Sequence, residues 1–180
     1  MPSEAWNQLR DQIIEKAVVR GTVILSSGRE ADYYVDLRRV TLDAVAAPLV
    51  GRVMRELTAD WSFSAVGGLT LGADPVATAM LHDAARSGEV LDAFVVRKSE
   101  KQHGLQRRIE GPDVAGRSVL AVEDTSTTGG SVLTAVDALI EAGATVAGVA
   151  VIVDRGAGPA IVERGLAYRA AYALSDLGLG

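Results

Sequence analysis

The chain has 180 residues, no cysteine and a net charge of -5 from 18 basic against 23 acidic side chains, which excludes disulfides, thiolate metal sites and cysteine nucleophiles and argues against a general nucleic-acid binder, since that needs a basic face. Hydrophobic residues at 48% and charged residues at 23% match a folded globular chain rather than a disordered one. The longest apolar stretch, Val146 to Val153, is far short of the ~20 residues a membrane span needs, so no membrane partner is expected.

The N-terminus, MPSEAWNQLRDQ, lacks the charged-then-apolar layout of a signal peptide, so a cytoplasmic location is expected by elimination. The first 60 residues read as a helix over Ala5–Arg20, a short strand or hairpin around Thr22–Asp36 and a helix near Leu42–Leu57. They are expected to form a small hood over the open edge of a sheet. Beyond them, β-rich runs alternate with helical patterns. Strands are predicted at Ser64–Gly67, Leu91–Val96, Ser118–Val122, Val146–Val153 and Ala167–Ala173, and helices at 75–86, 131–142 and 159–164. The runs are rich in Val and Ala with little alternation, as parallel strands covered on both faces should be.

The helix at 75–86 is expected to take Asp74 as its N-cap and Pro75 in its first turn, where a missing N–H costs nothing. The helix at 131–142 places Val132, Ala135, Val136, Leu139 and Ile140 on one face, and Gly143 stands where a left-handed residue should end it. The predicted fold class is α/β: one domain over 1–180 built on an open, mostly parallel twisted sheet with helices on both faces, residues 1–60 forming the hood. Ligands in such sheets sit beyond the carboxyl ends of the strands.

Two stretches carry chemistry. In SVLAVEDTSTTGGS (118–131), an apolar run meets Glu123 and Asp124, then Thr125, Ser126, Thr127, Thr128, Gly129, Gly130 and Ser131 at a helix start. Unpaired amides and a positive dipole end suit a phosphate there. The absence of a following Gly-Lys-Ser/Thr rules out a Walker A loop. Two carboxylates would repel a triphosphate but suit the vicinal hydroxyls of a ribose, and waters on a magnesium ion. The alternative is a strand that ends in two capping acids. The second stretch, RKSEKQHGLQRR (97–108), gathers five basic residues and one acidic residue in an acidic protein. It suits a small polyanion, or else a solvated loop.

VLAVEDTSTTGGS resembles the phosphoribosyl pyrophosphate motif of type I phosphoribosyltransferases. ILSSGREADYYVDLR (24–38) and VVRKSEKQHGLQRRIEG (95–111) resemble the substrate segment and mobile catalytic loop of the orotate-specific members. The resemblance implies transfer of a phosphoribosyl group to orotate with release of pyrophosphate, Mg²⁺ as cofactor, and a homodimer in which the 97–108 loop reaches the neighbouring active site. It places Arg97, Lys98, Lys101 and His103 on the pyrophosphate, with Lys98, Lys101 and His103 catalytic, Glu123 to Ser131 on the phosphoribosyl group, and Thr127 and Arg155 on orotate. The alternative for Arg155 is a salt bridge to Asp154. AVGGLTLGADP (65–75) resembles the family's pyrophosphate loop. It has no lysine near Gly72, where some members carry one, and Ser26 likewise stands where some have lysine. Tyr33 and Tyr34 flank the base or belong to the core. Competing readings are a phosphoribosyltransferase for another base, a sensor of phosphoribosyl pyrophosphate without catalysis, and a dinucleotide site at Gly156-x-Gly158-x-x-Ile161, which lacks a third glycine.

Overall fold

The computed structural model describes residues 2–24, 30–99 and 108–179. Helix α1 (Glu4–Lys16) starts where the Ser3 hydroxyl accepts the Trp6 N–H at 3.1 Å, and it buries Ala5, Leu9 and Ile13, four residues apart, along one stripe. It is shorter than the predicted Ala5–Arg20. The β-branched pair Val18 and Val19 opens strand β1 (Val18–Ile24) instead, laddered antiparallel on β2 (Glu30–Val35) with Val18 opposite Val35 and Val19 opposite Tyr34. The helix expected near Leu42–Leu57 starts later, as α3 (Ala46–Leu57), and a short helix that was not predicted, α2 (Arg38–Thr41), precedes it. The Asp43 carboxylate accepts the Val45 and Ala46 amides, both at 2.9 Å, and so starts α3 afresh.

The remaining elements are β3 (Ala65–Leu69), α4 (Ala73–Arg86), β4 (Asp92–Val96), β5 (Ile109–Glu110), β6 (Ser118–Ser126), α5 (Gly130–Glu141), β7 (Thr145–Asp154), α6 (Gly158–Glu163) and β8 (Tyr168–Ala173). Strands β3 to β8 form one sheet in the order β5-β4-β3-β6-β7-β8, parallel except for the β4–β5 pair. The sheet separates two cores. Leu120, Val122, Ala150 and Ile152 pack with residues of α1, α3 and α4, while Val119, Ala121, Val149 and Val151 pack with residues of α5 and Ile161 of α6. Successive strand residues therefore feed opposite faces, which is why these runs are apolar throughout.

Helix α5 ends as its sequence implies. Gly143 takes φ +82°, its N–H bonds the Ile140 carbonyl, and the Ala144 N–H bonds that of Leu139, a Schellman closure. Two expectations fail here. Ile140 is 54% exposed, whereas Ala138 is buried beside Val132, Ala135, Val136 and Leu139. Asp74 is not an N-cap: Gly72 stands at that position, and Asp74 lies inside the first turn accepting the Thr70 hydroxyl at 2.6 Å. No helix among the described residues is long and apolar enough to cross a membrane.

Candidate active site

From β3 the chain steps outward to β4, then returns past β3 to lay down β6 on its other side. Loops leaving β3 and β6 therefore diverge, and a crevice opens beyond their carboxyl ends. A cavity of about 340 Å³ lies there, lined by Tyr34 to Arg38 of the hood, Leu69 to Gly72 after β3, Lys98 after β4, and Glu123, Asp124, Thr125 and Ser131.

Glu123 and Asp124 form one wall of it. Glu123 is 5% exposed, and burial first, then the neighbouring Asp124 charge, push its carboxyl up to about 8. Burial also raises Asp124, opposed by the Thr125 N–H, which donates to Oδ1 at 2.6 Å. Both carboxylates lie against Gly72. A Cβ there would stand 2.3 Å from Glu123 Oε1 and 2.8 Å from Asp124 Oδ1, so a side chain at this position would push the two carboxylates aside. Neither acid has an ion-pair partner among the described residues. They line the cavity and also accept backbone amides, Glu123 Oε1 from the Asp124 N–H at 3.2 Å and Asp124 Oδ1 from that of Thr125.

This arrangement makes ligand-free stability depend on pH. A carboxyl raised above its ordinary 4.5 to about 8 favours the folded chain fully below the lower value and ceases to as pH rises through the upper one. The melting temperature of the ligand-free protein should fall between pH 6 and 9, and fall less in Glu123→Gln. Thermal scans in matched buffers check this, and equal slopes would contradict it.

Strand β6 runs four residues further than predicted, because Thr125 and Ser126 continue the ladder opposite Val153 and Asp154. The acids therefore sit on rigid strand rather than in a loop. Ser126 is 5% exposed, whereas Thr127, Thr128, Gly130 and Ser131 face solvent. Gly129, buried and at φ +80°, turns the chain into α5, which has no side-chain cap. The Gly130 N–H reaches Thr128 Oγ1 only at a long 3.4 Å. Open amides at the positive end of a twelve-residue helix are suited to a phosphate.

The basic segment departs from β4 and returns as β5, an antiparallel edge strand that was not predicted, with the Arg97 N–H on the Arg108 carbonyl at 2.7 Å. The arm is thus pinned at its base. Lys98 lines the cavity. Arg97 pairs with Glu110 at 3.5 Å, its Nε buried without a partner, and does not line the cavity. Lys101, His103 and Ser26 lie outside the described residues. Tyr33 packs against the core and Tyr34 lines the cavity.

Arg155 follows β7 and makes no salt bridge to Asp154. The Asp154 carboxylate instead accepts the Gly156 and Ala157 amides at 2.8 and 2.9 Å, while Arg155 Nε is buried and unpartnered. That capping also occupies the amides a dinucleotide would need at 156–158. The hood residues Asp36 and Arg38, which also line the cavity, were not singled out from sequence, although they lie in the segment 24–38 that resembles the family's substrate segment. Among the described residues, no three His, Asp or Glu side chains gather to hold a metal.

A family model of the phosphoribosyl transferase domain matches residues 40–165. The orotate phosphoribosyltransferase of Mycobacterium avium is 61% identical over 182 residues, covering 100% of both chains. That of Streptomyces avermitilis is 71% identical over 119 residues, 66% of this chain and 65% of that one. The crystal structure of Mycobacterium tuberculosis orotate phosphoribosyltransferase in complex with 5-phospho-alpha-D-ribosyl 1-diphosphate superposes with a TM-score of 0.86 at 55% identity, covering 97% of this chain and 99% of that one.

Proposed function

This chain belongs to the orotate phosphoribosyltransferases, and from that premise we propose how its residues move a phosphoribosyl group from phosphoribosyl pyrophosphate to orotate, giving orotidine 5′-monophosphate and pyrophosphate. The observation that carries the reading is the adjacent carboxylates of buried Glu123 and half-buried Asp124, without an ion-pair partner among the described residues, beside an uncapped helix start in one crevice. The 5′-phosphate sits on Thr127 to Ser131, with Thr125 and Ser126 holding the strand end beneath it. The ribose 2′- and 3′-hydroxyls donate to the two acids, which favours their charged forms. Thr127 and Arg155 hold orotate: the unpartnered guanidinium grips the carboxylate that distinguishes orotate from uracil.

Displacement then occurs at C1′. The bond to the pyrophosphate oxygen breaks with both electrons leaving on oxygen, while orotate N1 supplies the pair for the new bond and loses its proton. The sugar becomes cationic and the leaving group gains charge, so cations placed beforehand stabilise the transition state more than the ground state. Lys98, Lys101 and His103, with Arg97 at the base of the arm, supply them. Two adjacent carboxylates fit a magnesium ion carried in on the substrate's own oxygens, and its positive charge would offset that of the departing pyrophosphate.

The second copy of a homodimer fits the apolar groove of about 600 Å³ between α3 and α4, where Leu42 is 70% and Leu71 61% exposed. Leu71 also lines the active cavity, so a partner seated there stands close enough for its 97–108 arm to reach across.

The direct test incubates the protein with Mg²⁺, phosphoribosyl pyrophosphate and, in turn, orotate, uracil or adenine. Pyrophosphate release with orotate alone is expected. Release with adenine alone would favour another base, and release with none would leave a sensor. Arg155→Ala should raise the KM for orotate by roughly 10- to 100-fold, the loss of a charged hydrogen-bonded pair. An unchanged KM would remove Arg155 from the base site.

A further inference from the structure

The active cavity has a cation that the basic arm does not supply. Arg38 opens α2 at the edge of the hood and lines the cavity together with Lys98, Glu123 and Asp124. Its Nε donates to Asp36 Oδ1 at 2.8 Å, and its backbone N–H reaches the same oxygen at 3.3 Å. No described residue partners its two terminal nitrogens, and the side chain is 48% exposed. Asp36 is itself fixed, with its N–H on the Ala17 carbonyl at 2.9 Å, and Leu37 and Val40 anchor the turn in the core. The next residue differs: Arg39 turns back to the Lys16 carbonyl and does not line the cavity. Arg38 is therefore held by one carboxylate with the rest of its fork free.

Charge says what the fork receives. Among the described lining residues, Asp36, Glu123 and Asp124 face two cations, Arg38 and Lys98, and the loop after β3 contributes no charge. Arg155, which answers the orotate carboxylate, is not part of this lining, and the exposed threonines before α5 answer the 5′-phosphate. The diphosphate is the anion left to satisfy, and a planar guanidinium suits its paired oxygens.

We propose that Arg38 is a further binding residue of this active site, presenting its free guanidinium edge to the diphosphate of phosphoribosyl pyrophosphate, with Asp36 as the residue that positions it. The proposal rests on the transferase reading above. Its consequence is that the hood takes part in recognising the donor.

Steady-state kinetics and pyrophosphate inhibition on Arg38→Ala, Arg38→Lys, Asp36→Asn and the control Arg39→Ala test it, with calorimetric titration of inorganic pyrophosphate as a readout independent of turnover. Arg38→Ala should raise the KM for phosphoribosyl pyrophosphate and weaken pyrophosphate binding together, each by roughly 10- to 100-fold, with little change in the KM for orotate. Arg38→Lys should recover part of the loss. Asp36→Asn should show a smaller loss of the same kind that disappears in the Arg38→Ala background, since the two act as a unit. Arg39→Ala should match the wild type. Unchanged pyrophosphate binding in Arg38→Ala, or a loss confined to the KM for orotate, overturns the proposal while an active wild type keeps the transferase reading. An inactive wild type would overturn that reading instead, and the titration would still report on Arg38.

Discussion

The double substitution Glu123→Gln with Asp124→Asn should yield a chain that melts at a higher temperature at pH 8.5 and has lost at least about 100-fold in kcat/KM for phosphoribosyl pyrophosphate. Both effects have one cause. Two adjacent carboxyls are held out of water with no described cation to pair them, and burial resists their ionisation. Amides of the same shape fill the same space without that cost. They also accept hydrogen bonds from ribose hydroxyls less strongly: charged hydrogen bonds contribute about 1.5–3 kcal/mol each, and two weakened together account for the kinetic loss. Function at this wall thus opposes stability, as sites of stored strain commonly do. Thermal scans and initial rates on the same preparation check both halves. A lower melting temperature at pH 8.5 would mean that the charges support the fold, and unchanged kinetics would separate them from the sugar.

Lys101→Ala should lower kcat by about 100- to 1000-fold, the usual cost of removing one pre-placed donor at a developing charge. The KM for phosphoribosyl pyrophosphate should move much less, because the lysine meets charge that appears only as the C1′–O bond breaks. Lys101 lies outside the described residues, so the warrant is its place in the RK-x-x-K-x-HG spacing together with the pinned base of the arm. That base, Arg97 bonded to Arg108, holds the ends of the arm beside Lys98 at the cavity. Equal losses in kcat and affinity would make Lys101 a ground-state binder.

Much of this architecture could be read from residue pattern alone, for a physical reason. A strand buried on both faces must be apolar at every position, so 65–69, 119–122 and 149–153 stand out from the amphipathic helices between them. The helix from 130 to 141 announces its own end through Gly143. The misses fall where neighbours distant in sequence decide. Strand β5 has two residues, Ile109 and Glu110, and exists only because Val96 and Val95 lie alongside. Strand β6 continues through its acids because β7 supplies the ladder beside them, something a run of Glu, Asp, Thr and Ser does not advertise. Asp74 was expected as a cap but lies inside its helix, while Asp43, which was not singled out, accepts the amides that start α3.

The site divides in the same way. Acids, hydroxyls and glycines adjacent in sequence mark the sugar-phosphate end, because a strand-to-helix turn gathers its own ligands locally. Asp36 and Arg38 reach the same crevice only through the packing of the hood, so nothing within their own segment distinguishes Arg38 from Arg39. One hydrogen bond on Asp36 and another on the Lys16 carbonyl send those two arginines different ways.

A crystal structure with phosphoribosyl pyrophosphate bound tests the central placement most directly. It should show the 5′-phosphate on the amides at the start of α5 and the ribose hydroxyls within about 3.2 Å of the Glu123 and Asp124 oxygens. A sugar whose hydroxyls point away from both acids, or a 5′-phosphate bound anywhere other than the threonine-glycine turn, would contradict it.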